Sequence, residues 1–240
     1  MKSLGILETG TPPDGPKAIY GDYPAMFREL LGPERFAYRT YGVDCGDLPA
    51  SPTDCDAWLI TGSSAGVYEP HAWIEPLKQF LRDARGAAPM IGVCFGHQIM
   101  AEAFGGQVIK SPKGWGVGLQ TYGLATPTPW IDPVSGFSVA GSHQDQVVVQ
   151  PPGSRVLAGN DFCPFGMLAY EDHPSISLQL HPEFSPDYAS ALIETRRGSR
   201  YTDEQADRAL ESLKKPNDRL AVGDWMIRFL ERPRGDLRAS

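Results

Sequence analysis

Ala87-Ala88-Pro89-Met90-Ile91-Gly92-Val93-Cys94-Phe95-Gly96-His97-Gln98 is an apolar run that ends in a cysteine bracketed two positions either side by glycine. The pattern describes a buried strand turning sharply into a helix, with a nucleophile at the apex of the turn. Gly92 and Gly96 remove the side chains that would collide as strand and helix close on each other. The helix, read from Phe95 to about Phe104, points its free N–H groups and positive dipole end at the sulfur, an environment that favours thiolate over thiol. The competing reading is an ordinary buried core cysteine, because apolar strand, tight turn and helix also describe common sheet packing.

Working outward, strand and helix signals alternate on both sides of this elbow. Leu4 to Leu7, Phe36 to Tyr41 and Ala57 to Ile60 read as strands, and Ala18 to Leu31 as a helix interrupted near Pro24. Ala72 to Ala84 repeats apolar residues at Trp73, Leu77, Phe80 and Leu81 at helical spacing. The alternation predicts a doubly wound α/β fold, with a mostly parallel central sheet, flanking helices and functional loops at the strands' carboxyl ends. From Gly106 to Gln150 the character changes to short β runs with Gly and Pro, a small antiparallel extension. There Gly114-Trp115-Gly116-Val117-Gly118 lacks the strand-to-helix context of a phosphate loop and reads as a bend or bulge.

A second chemical motif lies far downstream. Ile176-Ser177-Leu178-Gln179-Leu180 reads as a strand running into His181-Pro182-Glu183-Phe184. Residues two apart on an extended chain share a face, so imidazole and carboxylate lie side by side, and Pro182 stiffens the arrangement. A carboxylate on one ring nitrogen sets the tautomer and leaves the other free to take a thiol proton. Of the other histidines, His97 follows Cys94 on the helix start and reads as packing or hydrogen bonding. His71 and His173 stand in polar loop sequence and read as surface residues. His143 falls at a strand end, where α/β sheets gather their sites.

Gly92-Val93-Cys94-Phe95-Gly96-His97-Gln98 together with His181-Pro182-Glu183 resembles the class I glutamine amidotransferase family, over about Leu4 to Phe184. The resemblance implies Cys94 as nucleophile, His181 as general base and then acid, and Glu183 as the group orienting the imidazole. The substrate would be glutamine or a γ-glutamyl small molecule, hydrolysed through a glutamyl thioester. The resemblance also places the backbone N–H groups of Ser63 and Phe95 in an oxyanion hole. It assigns Gly62, Gln98, Ser142, His143, Gln144 and Asp145 to the substrate, with Asp145 facing its α-ammonium. Two departures stand out: the family's Gly-Gly-Pro loop is here Gly62-Ser63-Ser64, and Gln144 stands where glycine is frequent. A positive φ at Ser63 would strain a serine. A side chain at Gln144 would narrow the pocket or add a donor near the leaving group.

Composition agrees with a soluble enzyme and says little more. A formal net charge of −7 and the absence of a basic stripe argue against a nucleic-acid partner. No apolar run approaches a membrane span, and Glu8 interrupts the first hydrophobic stretch before a secretory core could form. The four cysteines lack metal or disulfide spacing, so a reducing cytoplasm, no metal and no cofactor are expected. Residues 1–198 read as the catalytic domain and 199–240 as a helical extension packed on it. In that extension Thr202-Asp203-Glu204-Gln205 forms a capping box, Ala206, Leu210 and Leu213 make a stripe ended by Pro216, and Val222, Trp225, Met226, Phe229 and Leu230 line a last helix. Plain docking of these helices is the preferred reading; the alternative takes Arg196-Arg197 and the charged stretch before Thr202 as a mobile connection that serves a partner, and the residues after Arg232 read as frayed. Three functions stay open: an independent amidohydrolase, a glutaminase subunit serving a separate synthase, and a catalytically silent regulatory relative. The intact Cys94, His181, Glu183 set disfavours the last.

Overall fold

In the computed structural model, residues 1–232 are described; the reading of a frayed tail after Arg232 lies outside them. A nine-stranded sheet runs through the centre. Its first half comprises β1 (Ser3–Glu8), β2 (Ala37–Gly42), β3 (Ala57–Ile60) and β4 (Met90–Val93), joined by β11 (Ser175–Leu178). These five lie in the order β2-β1-β3-β4-β11 and every pairing among them is parallel. The sheet continues antiparallel through β10 (Met167–Tyr170), β9 (Ser154–Gly159), β6 (Gly116–Leu124) and β7 (Gly136–His143). A separate antiparallel pair joins β5 (Gln107–Lys110) to β8 (Asp145–Val149).

Helices cover both faces, and the strand side chains sort between them with period two. Leu4, Ile6, Leu59, Ile91 and Val93 point into a core shared with α2 (Tyr23–Leu31) and α7 (Arg219–Glu231). Leu7, Trp58, Ile60 and Met90 point the other way, toward α3 (Ile74–Ala84) and α4 (Phe95–Ala103). β3 and β4 are buried at every residue, which is why both read as unbroken apolar runs.

Two sequence expectations need correction here. The helix read from Ala18 to Leu31 is two helices, α1 (Asp14–Tyr20) and α2, and the break is at Gly21-Asp22, not Pro24. Gly21 ends α1 at φ 81°, and the Asp22 carboxylate caps α2 by accepting from the Ala25 N–H at 2.8 Å. Pro24 sits in the first turn, where its missing N–H costs nothing. His173 is not a surface residue: its ring is buried against Phe104 and Tyr170 while Glu171 and Asp172 stay exposed. His71 is exposed as read, stacked on Trp73.

In the glycine cluster Gly114 closes a turn at φ 82°, donating to Ser111 O, as the bend reading expected, and Gly116 to Gly118 open β6 in unbroken antiparallel register with β7. Gly118 takes φ 82°, and a Cβ there would lie 2.8 Å from Ala209 Cα, so this glycine lets helix α6 (Asp203–Leu213) close onto β6. The capping box at Thr202 and Gln205 is present at the start of α6. Past α5 (Pro186–Arg196), the chain before Thr202 is a hydrogen-bonded turn, with Arg200 N donating to Arg196 O and Gly198 N to Tyr201 O, both at 2.9 Å. That closure stands where the alternative reading took Arg196-Arg197 as a mobile connection.

Candidate active site

Cys94 joins β4 to α4 with φ 53° and ψ −103°, and it is the only non-glycine at positive φ among the described residues. Such backbone costs on the order of 1–3 kcal/mol and persists only where the surroundings hold it. Here the Cys94 N–H donates to Leu178 O at 2.9 Å, the Gln98 N–H donates to Cys94 O at 3.0 Å, and the Gly96 N–H donates to Thr61 O at 3.1 Å. The two glycines are obligatory: a Cβ on Gly92 would lie 2.4 Å from Gly96 O, and one on Gly96 2.3 Å from Ile60 O. Phe95 opens α4, so its N–H has no partner within the helix.

His181 reaches this corner because β11 is the parallel neighbour of β4, with Leu178 opposite Val93. Its N–H donates to Ala140 O at 2.9 Å, which ties it to β7 as well. Nδ1 pairs with Glu183 Oε1 at 2.7 Å, and the ring hydrogen-bonds the Cys94 side chain. Gly62 closes the third side; a Cβ there would sit 3.0 Å from His181 Cε1 and 3.8 Å from Cys94 Cβ. The Phe184 ring stacks flat on the imidazole, with centroids 3.9 Å apart. Burial alone would lower the imidazole's proton affinity. The negative charges of the Cys94 sulfur and the Glu183 carboxylate, with hydrogen bonds to both, outweigh it and raise the pKa to about 10.

The Gly62-Ser63-Ser64 loop is pinned from β1's end, where the Thr9 hydroxyl donates to Thr61 O at 3.0 Å and the Thr9 N–H donates to Thr61 Oγ1 at 3.0 Å. Ser63 avoids positive φ, so serine fits there without strain. Around sulfur and loop opens a cleft of about 390 Å³ lined by Ser63, Cys94, Gln98, Ser142, His143, Gln144, Asp145 and His181. Within it Gln98 Nε2 donates to Asp145 O at 2.9 Å and to Gln179 Oε1 at 3.1 Å, so this side chain positions the 142–145 segment. The Gln144 amide, expected near the leaving group, donates instead to Ser111 O at 3.4 Å. Asp145 accepts from the Tyr68 hydroxyl at 3.0 Å, and its half-burial raises its pKa. The sequence reading missed Tyr23, Tyr68, Trp115, Phe184, Arg196 and Arg200, which also line the cleft. Of these, Arg196 had drawn notice with Arg197, as an alternative connection serving a partner and not as a lining of the cleft.

The remaining buried histidines contrast with His181. Burial lowers the pKa of His97 to about 3, with His97 Nδ1 against Ser177 Oγ at 2.8 Å, and those of His143 and His173 to about 4. His97 thus serves packing and hydrogen bonding, as its sequence position suggested. A group whose folded pKa is depressed binds its proton preferentially in the unfolded chain. These three therefore contribute stability that is present above the unfolded value of 6.5 and lost as pH falls toward 3 to 4. His181 has the opposite sign, its contribution fading as pH rises from 6.5 toward 10. Urea titrations at pH 7 and pH 5 should show lower stability at pH 5, offset in part by Glu8, whose carboxyl burial pushes up to about 7, and His97→Gln should flatten that slope. Among the described residues no cluster of metal-ligating side chains occurs and no helix is long and apolar enough to cross a membrane.

Comparison with known proteins gives the same direction. The family model described as glutamine amidotransferase class-I matches residues 48–196. A glutamine amidotransferase-like protein of Schizosaccharomyces pombe is 31% identical over 245 residues, spanning 95% of this chain and 98% of the relative. Gamma-glutamyl peptidase 2 of Arabidopsis thaliana is 27% identical over 207 residues and 83% of each chain. The crystal structure of a glutamine amidotransferase from Thermotoga maritima superposes with a TM-score of 0.79 at 15% identity, covering 97% of this chain and all of that one, a likeness of fold.

Proposed function

The chain belongs to the class I glutamine amidotransferase family, and from that premise we propose that it is a cysteine-dependent amidohydrolase that cleaves the γ-amide of glutamine or of a γ-glutamyl compound. The observation that carries this reading is the convergence of Cys94, His181 with Glu183, and Gly62 on one buried corner of an open cleft.

The chemistry follows from that geometry. The Cys94 sulfur attacks the γ-carbonyl carbon, and the oxygen that gains charge is met by the N–H groups of Phe95 and Ser63. Each such donor is worth on the order of 3 kcal/mol in the transition state. The intermediate collapses as the C–N bond breaks and the imidazolium of His181 gives its proton to the departing nitrogen. Water then attacks the glutamyl thioester with His181 as base, and glutamate leaves. Glu183 keeps Nδ1 engaged, which presents Nε2 to sulfur, amine and water in turn. Asp145, carboxylate-bearing and held by Tyr68, faces the α-ammonium of the glutamyl half.

Incubation with glutamine and a panel of γ-glutamyl amines and peptides, followed by assay of free glutamate, tests the reading. Release of glutamate from at least one of them is expected, and silence toward all with Cys94 unreactive to iodoacetamide would refute it. Glu183→Gln preserves shape while removing the charge that holds the imidazolium; kcat should fall by about 10³-fold or more, with KM little changed. A variant retaining full kcat would show that Glu183 has no part in the chemistry.

A further inference from the structure

Charged groups line the cleft in two places, one mixed, with Lys110 beside the acids, and one purely basic. Beside the β3 loop stand Asp145, Tyr68 and Glu69. Elsewhere on its wall stand Arg196, Arg200 and Trp115. Arg196 Nη1 donates to Ser142 Oγ at 2.8 Å, and the Arg200 guanidinium lies 5.6 Å from the centroid of the Trp115 ring. No carboxylate pairs with either guanidinium among the described residues, whereas Arg197 between them is tied to Glu194 at 2.8 Å and Asp207 at 2.9 Å. Burial first, then the charge of Arg196, depress the pKa of Arg200. Two cations held together at the rim of a cleft, each anchored by a neutral partner, form a half-built ion pair that lacks its anion.

The position of this pair relative to His181 decides which part of a substrate meets it. Arg196 is anchored on Ser142, two residues along β7 from Ala140, which binds the His181 backbone. Tyr23, also on the cleft wall, stacks on Phe184, and Phe184 lies flat on the imidazole. Through Ser142 on β7, and through Tyr23, which feels the charge of both arginines, the pair neighbours the imidazole. In amide hydrolysis the amine leaves by taking its proton from that imidazole, so whatever the amine carries extends toward the arginines.

We infer that Arg196 and Arg200 form a recognition site for a carboxylate carried on the leaving amine, so that the favoured substrates are γ-glutamyl amino acids or short γ-glutamyl peptides with a free terminal carboxylate. The inference rests on the amidohydrolase reading above and narrows it. Glutamine, whose leaving group is ammonia, leaves both guanidinium groups unused, and a cleft of about 390 Å³ has room for a second residue.

The test compares γ-glutamylalanine with γ-glutamylalaninamide, alike in size and different in one charge, by kcat/KM for glutamate release. The full-length wild-type protein should favour the acid by about tenfold or more, and added KCl should shrink the ratio. Arg196→Gln and Arg200→Gln should each reduce the ratio several-fold, while Arg196→Lys retains much of it. Arg200 is exposed as a whole residue, with only its guanidinium partly covered at Trp115, so its variant keeps the fold even if that of Arg196 does not. Equal wild-type turnover of acid and amide overturns the inference and leaves the amidohydrolase intact. The same holds if both variants lose acid and amide in parallel, since the arginines would then serve the glutamyl half. Glutamate from neither compound nor from glutamine would end both.

Discussion

Cys94→Ala should leave a folded protein whose release of glutamate falls by more than about 10⁴-fold, because removal of the nucleophile leaves only binding and polarisation of the amide. The proposed mechanism has no second group able to form the thioester. Mass spectrometry of the wild-type protein quenched during turnover should find a glutamyl adduct on Cys94, and the variant should show none. Turnover surviving in Cys94→Ala would remove the nucleophile assignment altogether. Strain at the same residue supplies an independent check. Alanine inherits φ 53° whereas glycine is at ease there, so Cys94→Gly should be more stable than Cys94→Ala by about 1–2 kcal/mol. Equal stabilities in urea would mean that the turn stores no strain.

Gly96→Ala should be the most damaging small substitution for the fold, lowering stability by about 3 kcal/mol or more. The added methyl would stand 2.3 Å from the Ile60 carbonyl oxygen and 2.9 Å from its carbon, backbone atoms of a fully buried strand that cannot swing aside. Relief requires α4 to lift off β3, which breaks the Gly96-to-Thr61 hydrogen bond and shifts the loop carrying Gly62 and Ser63. Activity should therefore fall with stability. Gly15→Ala is the control: it lies in α1 with nothing within 4 Å of a Cβ, and it should stabilise the chain by about 0.5–1 kcal/mol. A Gly96→Ala protein unfolding at the wild-type urea midpoint would contradict the close approach of helix and strand.

Most of the parallel sheet was legible because its strands are continuous apolar runs between turn residues, a signal carried within a few positions. Ala57–Ile60 was read with its observed bounds, and Met90–Val93 was recognised as the strand before the elbow. The elbow itself was legible for the same reason, since two glycines and a cysteine at fixed spacing meet their steric constraint inside one turn. Misreadings arose where a residue's environment comes from elsewhere in the chain. His173 has polar neighbours in sequence and aromatic neighbours in space. Arg196 and Arg197 are adjacent, yet at the end of α5 one guanidinium lines the cleft and the other pairs with acids outside it.

What the sequence determined by itself is therefore the set of reactive groups and the local backbone that presents each: a thiol on a strained turn, and an imidazole beside a carboxylate on a stiff extended segment. Spacing of a few residues dictates both, through sterics and the periods of strand and helix. Only the tertiary structure decided that β11 pairs with β4, which carries that imidazole to that sulfur, and that the end of α5 lays two unpaired guanidiniums along the same cleft. Pairing order is set by the summed burial of whole strands and helices, a property of distant segments packed together that no short stretch of chain contains.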